Sequence, residues 1–535
     1  MKRLMYLLPL IISIISLPSC SIANNISKKR PDVSPYDYGL SAAKNGVERY
    51  QVLLKTHLAA IAAGVDVDYS NIDTIKLEIP GKPSRIPLTQ NNDFKGCVFI
   101  VKNTSKDVYL FEKKNPGTPI EVDKVLIDKG DFRAMDSLKY GRRILLIEDD
   151  IPWVRNRIDH EYGHQRKDVL LIENGVAKNK VVMPYNNECS KPKCSYIRLE
   201  QEPLIIKNVT IKRSPDCSYL THIAMIVGCD DVRVLNVNVY TPASKLANDR
   251  GILIRGCTNV TFKDIRIEGS YSQTTRSGYG VSLDNVWNFK AIRMYGKAIW
   301  GIFGNNNINK AIIEDSQINR FDIHCYGRDI SFRNVDFFDL YNQYSSVYGT
   351  ILFDGCSFTD FVPVQNGGSY YSYVAHDLVL NNCVFNVTPK KNYIISVSHL
   401  NKTSNMRQEL AEKRLPNVRI KNMIVNMRDG ADDLILFRCT SSGKKISNIG
   451  YLSDITIDGL AVNSDGDKPV KGVTLINITM ETNSAVACQM KNVVVNQPHK
   501  GIVTKGVIND AILRTNMPIK GGKVIMTNVY NLKQQ

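Results

Sequence analysis

Five short segments constrain this chain more than any other feature: Gly251-Ile-Leu-Ile254, Gly280-Val-Ser-Leu283, Gly301-Ile-Phe-Gly304, Asp322-Ile-His-Cys325 and Gly349-Thr-Ile-Leu352. They recur every 21 to 29 residues, a spacing that suits one turn of a wide solenoid of stacked strands. Strand side chains alternate between two faces. On that pattern Ile252, Val281, Ile302, Ile323 and Thr350 form one inward ladder, and Ile254, Leu283, Cys325 and Leu352 a second. The residues between them then point outward, which in the fourth turn means Arg320, Asp322, His324 and Tyr326. Titratable groups gathered on one face of a rigid sheet make that turn the first place to look for chemistry.

The chain has 535 residues, 43% hydrophobic and 23% charged, a globular rather than a disordered composition. Met1-Lys-Arg and the apolar run that follows, to Leu17, read as a secretory signal over residues 1–20, too short for a membrane span. Its ending, Leu17-Pro-Ser-Cys20, resembles the lipobox of bacterial lipoproteins, which implies lipidation at Cys20 and a place in the outer membrane, at the cell surface or in the periplasm. Contact with a membrane is expected only through that lipid. A polar leader over 21–38 precedes one domain over 39–535. The net charge of +17 favours a polyanionic partner, and for an exported protein that partner is an acidic polysaccharide rather than nucleic acid. A monomer is expected. Cys229, Cys257, Cys325, Cys356 and Cys383 fall at ladder or turn positions and read as buried thiols, while Cys189 and Cys194 are the best placed for a disulfide.

From Ser41 to Gly64, Val47, Leu53, Leu54, Leu58 and Ile61 recur at helical spacing, and Gly64 ends the pattern. Strand alternation begins at Ile75-Lys-Leu-Glu-Ile79-Pro-Gly. A helix over the open end of a solenoid, the Ile-Pro-Gly-Lys turn after it and Tyr38-Gly39 ahead of it resemble the start of right-handed parallel β-helix proteins of the pectate-lyase-like superfamily. The resemblance implies an all-β, right-handed parallel β-helix with a short N-terminal capping helix. Residues 95–185 read as early coils with long excursions. Turn-forming Asn and Asp precede the later strands, as at Asn208, Asp231, Asn259 and Asp329, and stacked asparagines there can form amide ladders.

Along Asn319-Arg-Phe-Asp-Ile-His-Cys-Tyr-Gly-Arg328, Asp322, His324 and Tyr326 are spaced about 6.6 Å apart on one outward row, with Phe303 and Ser282 expected in the row of His324. Trp300 and Tyr279 approach from the preceding turns, and Lys297 and Arg276 share a register that extends the basic surface. Rings beside cations suit a sugar groove. Arg255 and Asp284 share a register in adjacent coils and read as a structural ion pair.

His160-Glu-Tyr-Gly-His164 matches a zinc-protease pattern, but the strand-like sequence after it argues against the helix that such a site needs. Asp230-Asp231 is similar to the paired aspartates of pectin hydrolases of this fold, without the other motifs of that group. No cluster of carboxylates on adjacent coils suggests calcium, so no metal or cofactor is expected. The reading is a lyase that cleaves a uronate polysaccharide, including a glycosaminoglycan, by β-elimination. His324 is the base, Tyr326 the proton donor and Arg320 the group that neutralises the uronate carboxylate. Asp322, Arg328, Lys297, Arg276, Tyr279 and Trp300 are expected to bind substrate. A glycoside hydrolase and a non-catalytic glycan-binding protein are the alternatives.

Overall fold

Left-handed corner residues divide the chain into coils. Asn208, Asn236, Asp264, Arg293, Asp315 and Asn334 have φ between 48° and 58°. Each directly follows a residue paired to the next coil, in the order Lys207, Leu235, Lys263, Ile292, Glu314 and Arg333. The column continues through Gly355, Asn382, Asn422, Gly459 and Asn492. Asn, Asp and Gly tolerate this conformation best, so one bend recurs at one place in coil after coil. Two further columns, Asp231-Asn259-Asn288-Lys310-Asp329 and Gly228-Gly256-Asn285-Asn307, bend the central coils twice more. A long strand such as Ile252–Gly269 is thereby bent at Gly256, Asn259 and Asp264 into four short runs. The corner amides also bond to one another, as the sequence suggests: Asn236 Nδ2 donates to Asn208 Oδ1 at 2.9 Å and Asn288 Nδ2 to Asn259 Oδ1 at 2.7 Å.

The computed structural model describes residues 31–532 except 81–84, 104–107, 155–163, 183, 186–190, 200–201, 216, 218–220, 242–250, 270–278, 299–300, 340, 345–346, 361, 367–376, 388–392, 401–416, 428–433, 443–453, 465–472, 479–487, 497–505, 508–512 and 516–524. Cys20, the leader up to residue 30, Arg276, Trp300, His160 and Cys189 lie outside the described residues, as do the side chains of Cys325 and Tyr326.

Among the described residues, stacked strands make a mainly parallel sheet of 21 strands, and a parallel six-stranded sheet continues its first face from Tyr341–Gln343 onward. Their inward Ile, Val, Leu and Phe side chains form one continuous core. Phenylalanines stack up its length, with ring centroids 4.9 Å apart for Phe332–Phe353 and 4.3 Å for Phe358–Phe385. The architecture is the right-handed parallel β-helix that the sequence resembles.

The register differs from the expected ladders after the second coil. Val281 pairs with Phe303 rather than Ile302, and Phe303 pairs with Phe321 rather than lying in the row of His324. Ile351 pairs with Ile330, so the Gly349 segment belongs to a different face from the Asp322 segment. Coils of unequal length meet in register at their bends, and a count between similar tetrapeptides misses the offset.

At the N-terminus the helix spans Gly46–Ala63, capped by the Asn45 side chain and by left-handed Gly64. It buries Tyr50, Leu53, His57 and Ala60 against the first coil, while Leu58 and Ile61 are exposed. The buried face therefore keeps Leu53 from the sequence pattern but turns away from Leu58 and Ile61. Between Thr118 and Arg198 the chain leaves the solenoid to form a five-stranded antiparallel sheet with its own core around Phe132, Leu145, Leu170 and Tyr185. Solenoid residues at or next to the corners hold this sheet. Asn285 Nδ2 donates to the Asp168 carbonyl at 3.1 Å, Asn309 Nδ2 to the Lys180 carbonyl at 2.8 Å, and Arg142 bridges to Asp230 at 2.5 Å. His164 begins a strand of this sheet, so the helical spacing of a zinc-protease motif is not formed at its second histidine.

His57, fully buried, bonds through Nε2 to the Tyr69 hydroxyl at 2.8 Å. Burial lowers its pKa to about 4. A histidine depressed in the fold binds fewer protons folded than unfolded between pH 4 and 6.5, so its contribution is complete above pH 6.5 and is lost as pH falls toward 4. Urea unfolding is expected to show a loss on the order of 3 kcal/mol across that window. His57→Gln should be less stable at pH 7 and should flatten this part of the slope.

Candidate active site

Tyr279, Arg320, Asp322 and His324 come together where the first face of the solenoid is interrupted by a bulge. Asn305 pairs with Ile323 and Asn306 with Cys325, which leaves His324 as the extra residue of the Phe321–Phe338 strand. A bulge re-aims the side chain it carries. Here His324 keeps a 15% exposed side chain beside the fully buried Asp322.

Two glycines make room for this cluster. A Cβ on Gly304, the register partner of Asp322, would lie 2.3 Å from the Tyr279 ring. A Cβ on Gly301, whose φ is 141°, would lie 2.6 Å from the Arg320 side chain. The phenol of Tyr279 therefore lies across the strand at Gly304 and reaches the next coil. Its hydroxyl is 2.7 Å from His324 Nε2 and donates to Asp322 Oδ2 at 3.2 Å.

Asp322 is the anchor. Oδ2 accepts an ion pair from Arg320 Nη2 at 2.5 Å, and Oδ1 accepts the Gln343 backbone N–H at 2.9 Å. His324 Nε2 stands 3.8 Å from the same Oδ2. The Gln343 strand adds a second brace, because Asn342 Oδ1 accepts the Phe321 N–H at 2.7 Å. Burial, with the nearby Asp322 charge, holds the Tyr344 hydroxyl well above its ordinary pKa. Arg320 is only 2% exposed. Two charges removed from water this completely depend on each other for compensation.

The structure thus joins four of the residues marked from sequence and separates others. Phe303, expected beside His324, is a buried core residue, and the outward row through Asp322 runs Leu253, Ser282, Gly304, Asp322 and Gln343. Lys297 pairs with Asp339 at 3.4 Å and lies over Phe338. Arg328 lies just before the corner at Asp329, half-buried, in register with Asn309 and Tyr348, and its buried Nε–H has no partner among the described residues. Arg255 and Asp284 form the expected ion pair at 2.8 Å. Asp230 is structural: it holds Arg142, Thr258 Oγ1 at 2.6 Å and Asn259 Nδ2 at 2.8 Å. Among the described residues no group of three His, Cys, Asp or Glu side chains is placed to hold a metal ion.

A groove of about 1290 Å³ separates the antiparallel sheet from the solenoid. Glu148, Lys167 and Lys193 line one wall, and Val227, Arg255 and Asp284 the other. Asp284 is two residues along the strand from Ser282, so the groove opens on the face that carries Asp322. Sequence reasoning missed the bulge, the Tyr279 crossing and the brace from the next coil. Gly304, a glycine inside a strand pattern, was the available signal for a close approach.

No protein-family model matches the chain, and no curated protein does. The tailspike protein gp49 from Pseudomonas phage LKA1 is similar in structure at 10% identity and a TM-score of 0.48, over 88% of this chain and 86% of that one. The Family 28 exopolygalacturonase of Yersinia enterocolitica aligns at 12% identity and a TM-score of 0.36, over 84% and 78%. PfbA, a surface adhesin of Streptococcus pneumoniae, aligns at 10% and 0.33, over 85% and 93%. The strand register decides the fold. This chain is a parallel β-helix protein. In this β-helix the charged cluster sits outside the core yet under cover.

Asp322→Asn should show how strongly that cover is enforced. The variant keeps the shape and the Oδ1 bond to the Gln343 N–H, but it replaces the Oδ2 acceptor of Arg320 and Tyr279 by an NH2 group and leaves the Arg320 charge buried without its counterion. A loss of about 3–5 kcal/mol is expected in urea unfolding. A change under 1 kcal/mol would mean that Arg320 finds another partner.

Proposed function

We propose that this protein cleaves an acidic, uronate-containing polysaccharide by β-elimination, with His324 and Tyr279 as the catalytic pair. The observation that carries the reading is the 2.7 Å contact between the Tyr279 hydroxyl and His324 Nε2 above a buried carboxylate. Elimination needs a base for the proton at C5 and an acid for the departing O4. His324 takes the C5 proton, and the C4–O4 bond breaks as the C4–C5 double bond forms. Tyr279 protonates O4. His324 takes that proton at Nδ1 and passes its Nε2 proton to the phenolate along their shared hydrogen bond, and proton exchange with water restores the starting tautomer. Asp322 orients the pair and offsets the positive charge that develops on His324.

Arg320 does not serve as the carboxylate neutraliser under this reading, since it is committed to Asp322 inside the fold. That role passes to Arg328, a half-buried guanidinium four residues beyond His324. Tyr326 is replaced by Tyr279 as proton donor. Hydrolysis fits this cluster less well, because glycosidases use two carboxylates about 5–10 Å apart and the one carboxylate bonded here is buried and ion-paired. The net charge of +17 supports a polyanionic substrate. Export as a lipid-anchored monomer remains part of the proposal through the signal and Cys20.

Ultraviolet absorbance after mixing the protein with a panel of uronate polysaccharides tests the reading, since elimination leaves an unsaturated uronate that absorbs. With the responsive polymer, His324→Ala and Tyr279→Phe should each lower kcat by about 10²–10⁴-fold, and Arg328→Ala should chiefly raise KM. New reducing ends without absorbance would establish a hydrolase. Tight binding with neither signal would establish a glycan-binding protein.

A further inference from the structure

Two pairs of buried cysteines occupy one stereochemical slot on adjacent coils. Cys229 follows Gly228, Cys257 follows Gly256, Cys356 follows Gly355 and Cys383 follows Asn382, and all four corner residues have φ between 53° and 69°. The residues just after each pair are register partners, Asp230 with Thr258 and Ser357 with Val384. Each pair is therefore stacked at the strand spacing of about 4.8 Å, within the roughly 4.4–6.8 Å between Cα atoms that a disulfide spans.

The sulfurs share a setting as well. Each thiol donates to the carbonyl two residues before it: Val227 at 3.5 Å, Arg255 at 3.2 Å, Asp354 at 3.6 Å and Asn381 at 3.2 Å. The Cys257 sulfur already reaches its neighbour's coil, accepting the Cys229 N–H at 3.4 Å. In the other pair, the adjacent Cys356 thiol and burial push the Cys383 thiol up. Rotation about χ1 swings each sulfur from its carbonyl toward the stacked partner.

We propose that Cys229–Cys257 and Cys356–Cys383 are disulfide sites that tie neighbouring coils together when the chain folds with a disulfide oxidant such as oxidised glutathione. A thiolate of the pair attacks the oxidant's disulfide and releases one reduced thiol. Its neighbour then attacks the mixed disulfide, forming the protein S–S bond and releasing the second reduced thiol. The pair gives up two electrons and two protons, and the oxidant takes both. Thiols enclosed by completed coils are poor nucleophiles, so the bonds form before the coils close. Each bond ties a loop of nearly one coil, 28 residues for Cys229–Cys257, and restricts the unfolded chain. Cys97 is the internal control. It is buried and follows left-handed Gly96, but its stacked neighbour is Val209.

The test is refolding of the full chain in a glutathione redox buffer, followed by acid quench, alkylation in denaturant and peptide mass mapping. The expected result is peptides joined as Cys229–Cys257 and Cys356–Cys383, each about 2 Da below the sum of its reduced peptides, and an alkylated Cys97. The oxidised protein should unfold more slowly than the reduced one. Replacing either pair by alanine should remove part of that difference. Four alkylated thiols, or links that involve Cys97 as often as the stacked pairs, would overturn the proposal. If the chain does not refold, the same map on protein exported into an oxidising compartment decides by the same criterion.

Discussion

In-register stacking at left-handed corners is the constraint on which everything else depends. A parallel sheet leaves each strand's N–H and C=O groups to be satisfied by the coil above and the coil below. The bends must therefore fall at the same point in successive turns. Asn208 through Asn492 provide that point, and their amide side chains bond along the stack where two meet. The interior then follows with little freedom, because the residue after each bend always points inward. Val209, Val237, Ile265, Met294, Cys356, Cys383 and Met423 are all buried there.

The candidate site arises where this regularity is broken. An extra residue at the bulge turns His324 outward, and two glycines let Tyr279 and Arg320 lie where side chains would otherwise stand. Arg320 and Asp322 are costly to bury, and neither contributes to the apolar core. Their worth lies in specificity: a carboxylate fixed by a guanidinium, a backbone N–H and a phenol has one orientation, and His324 inherits it. The antiparallel insertion adds the wall of a groove on the same face, held by asparagines at or next to the corners that the solenoid presents anyway.

Charge and rigidity divide the work between them. The ion pairs Arg255–Asp284 and Arg293–Asp264 sit on the surface between adjacent coils, where solvent keeps each worth little. The buried pair at Arg320 is of another kind, since it is shielded from solvent and sits in the same contact network as the groups proposed for catalysis.

The sequence by itself determined the repeat, the capping helix and the gathering of Arg320, Asp322 and His324 on one turn, and it placed the inward ladders correctly only between the first two coils, where Ile252 meets Val281 and Ile254 meets Leu283. Those features are local: alternation, turn residues and spacing write them directly into the chain. Tertiary structure decided the register, because coils of different length align by their bends and not by resemblance between segments. That one decision moved Phe303 into the core and put Gly304 beside Asp322. It also decided which charges are free. Lys297 meets Asp339 and Asp230 meets Arg142 across gaps in sequence that no spacing rule spans. Tyr279 became the partner of His324 for the same reason, since only stacked coils bring a residue 45 positions away within 2.7 Å.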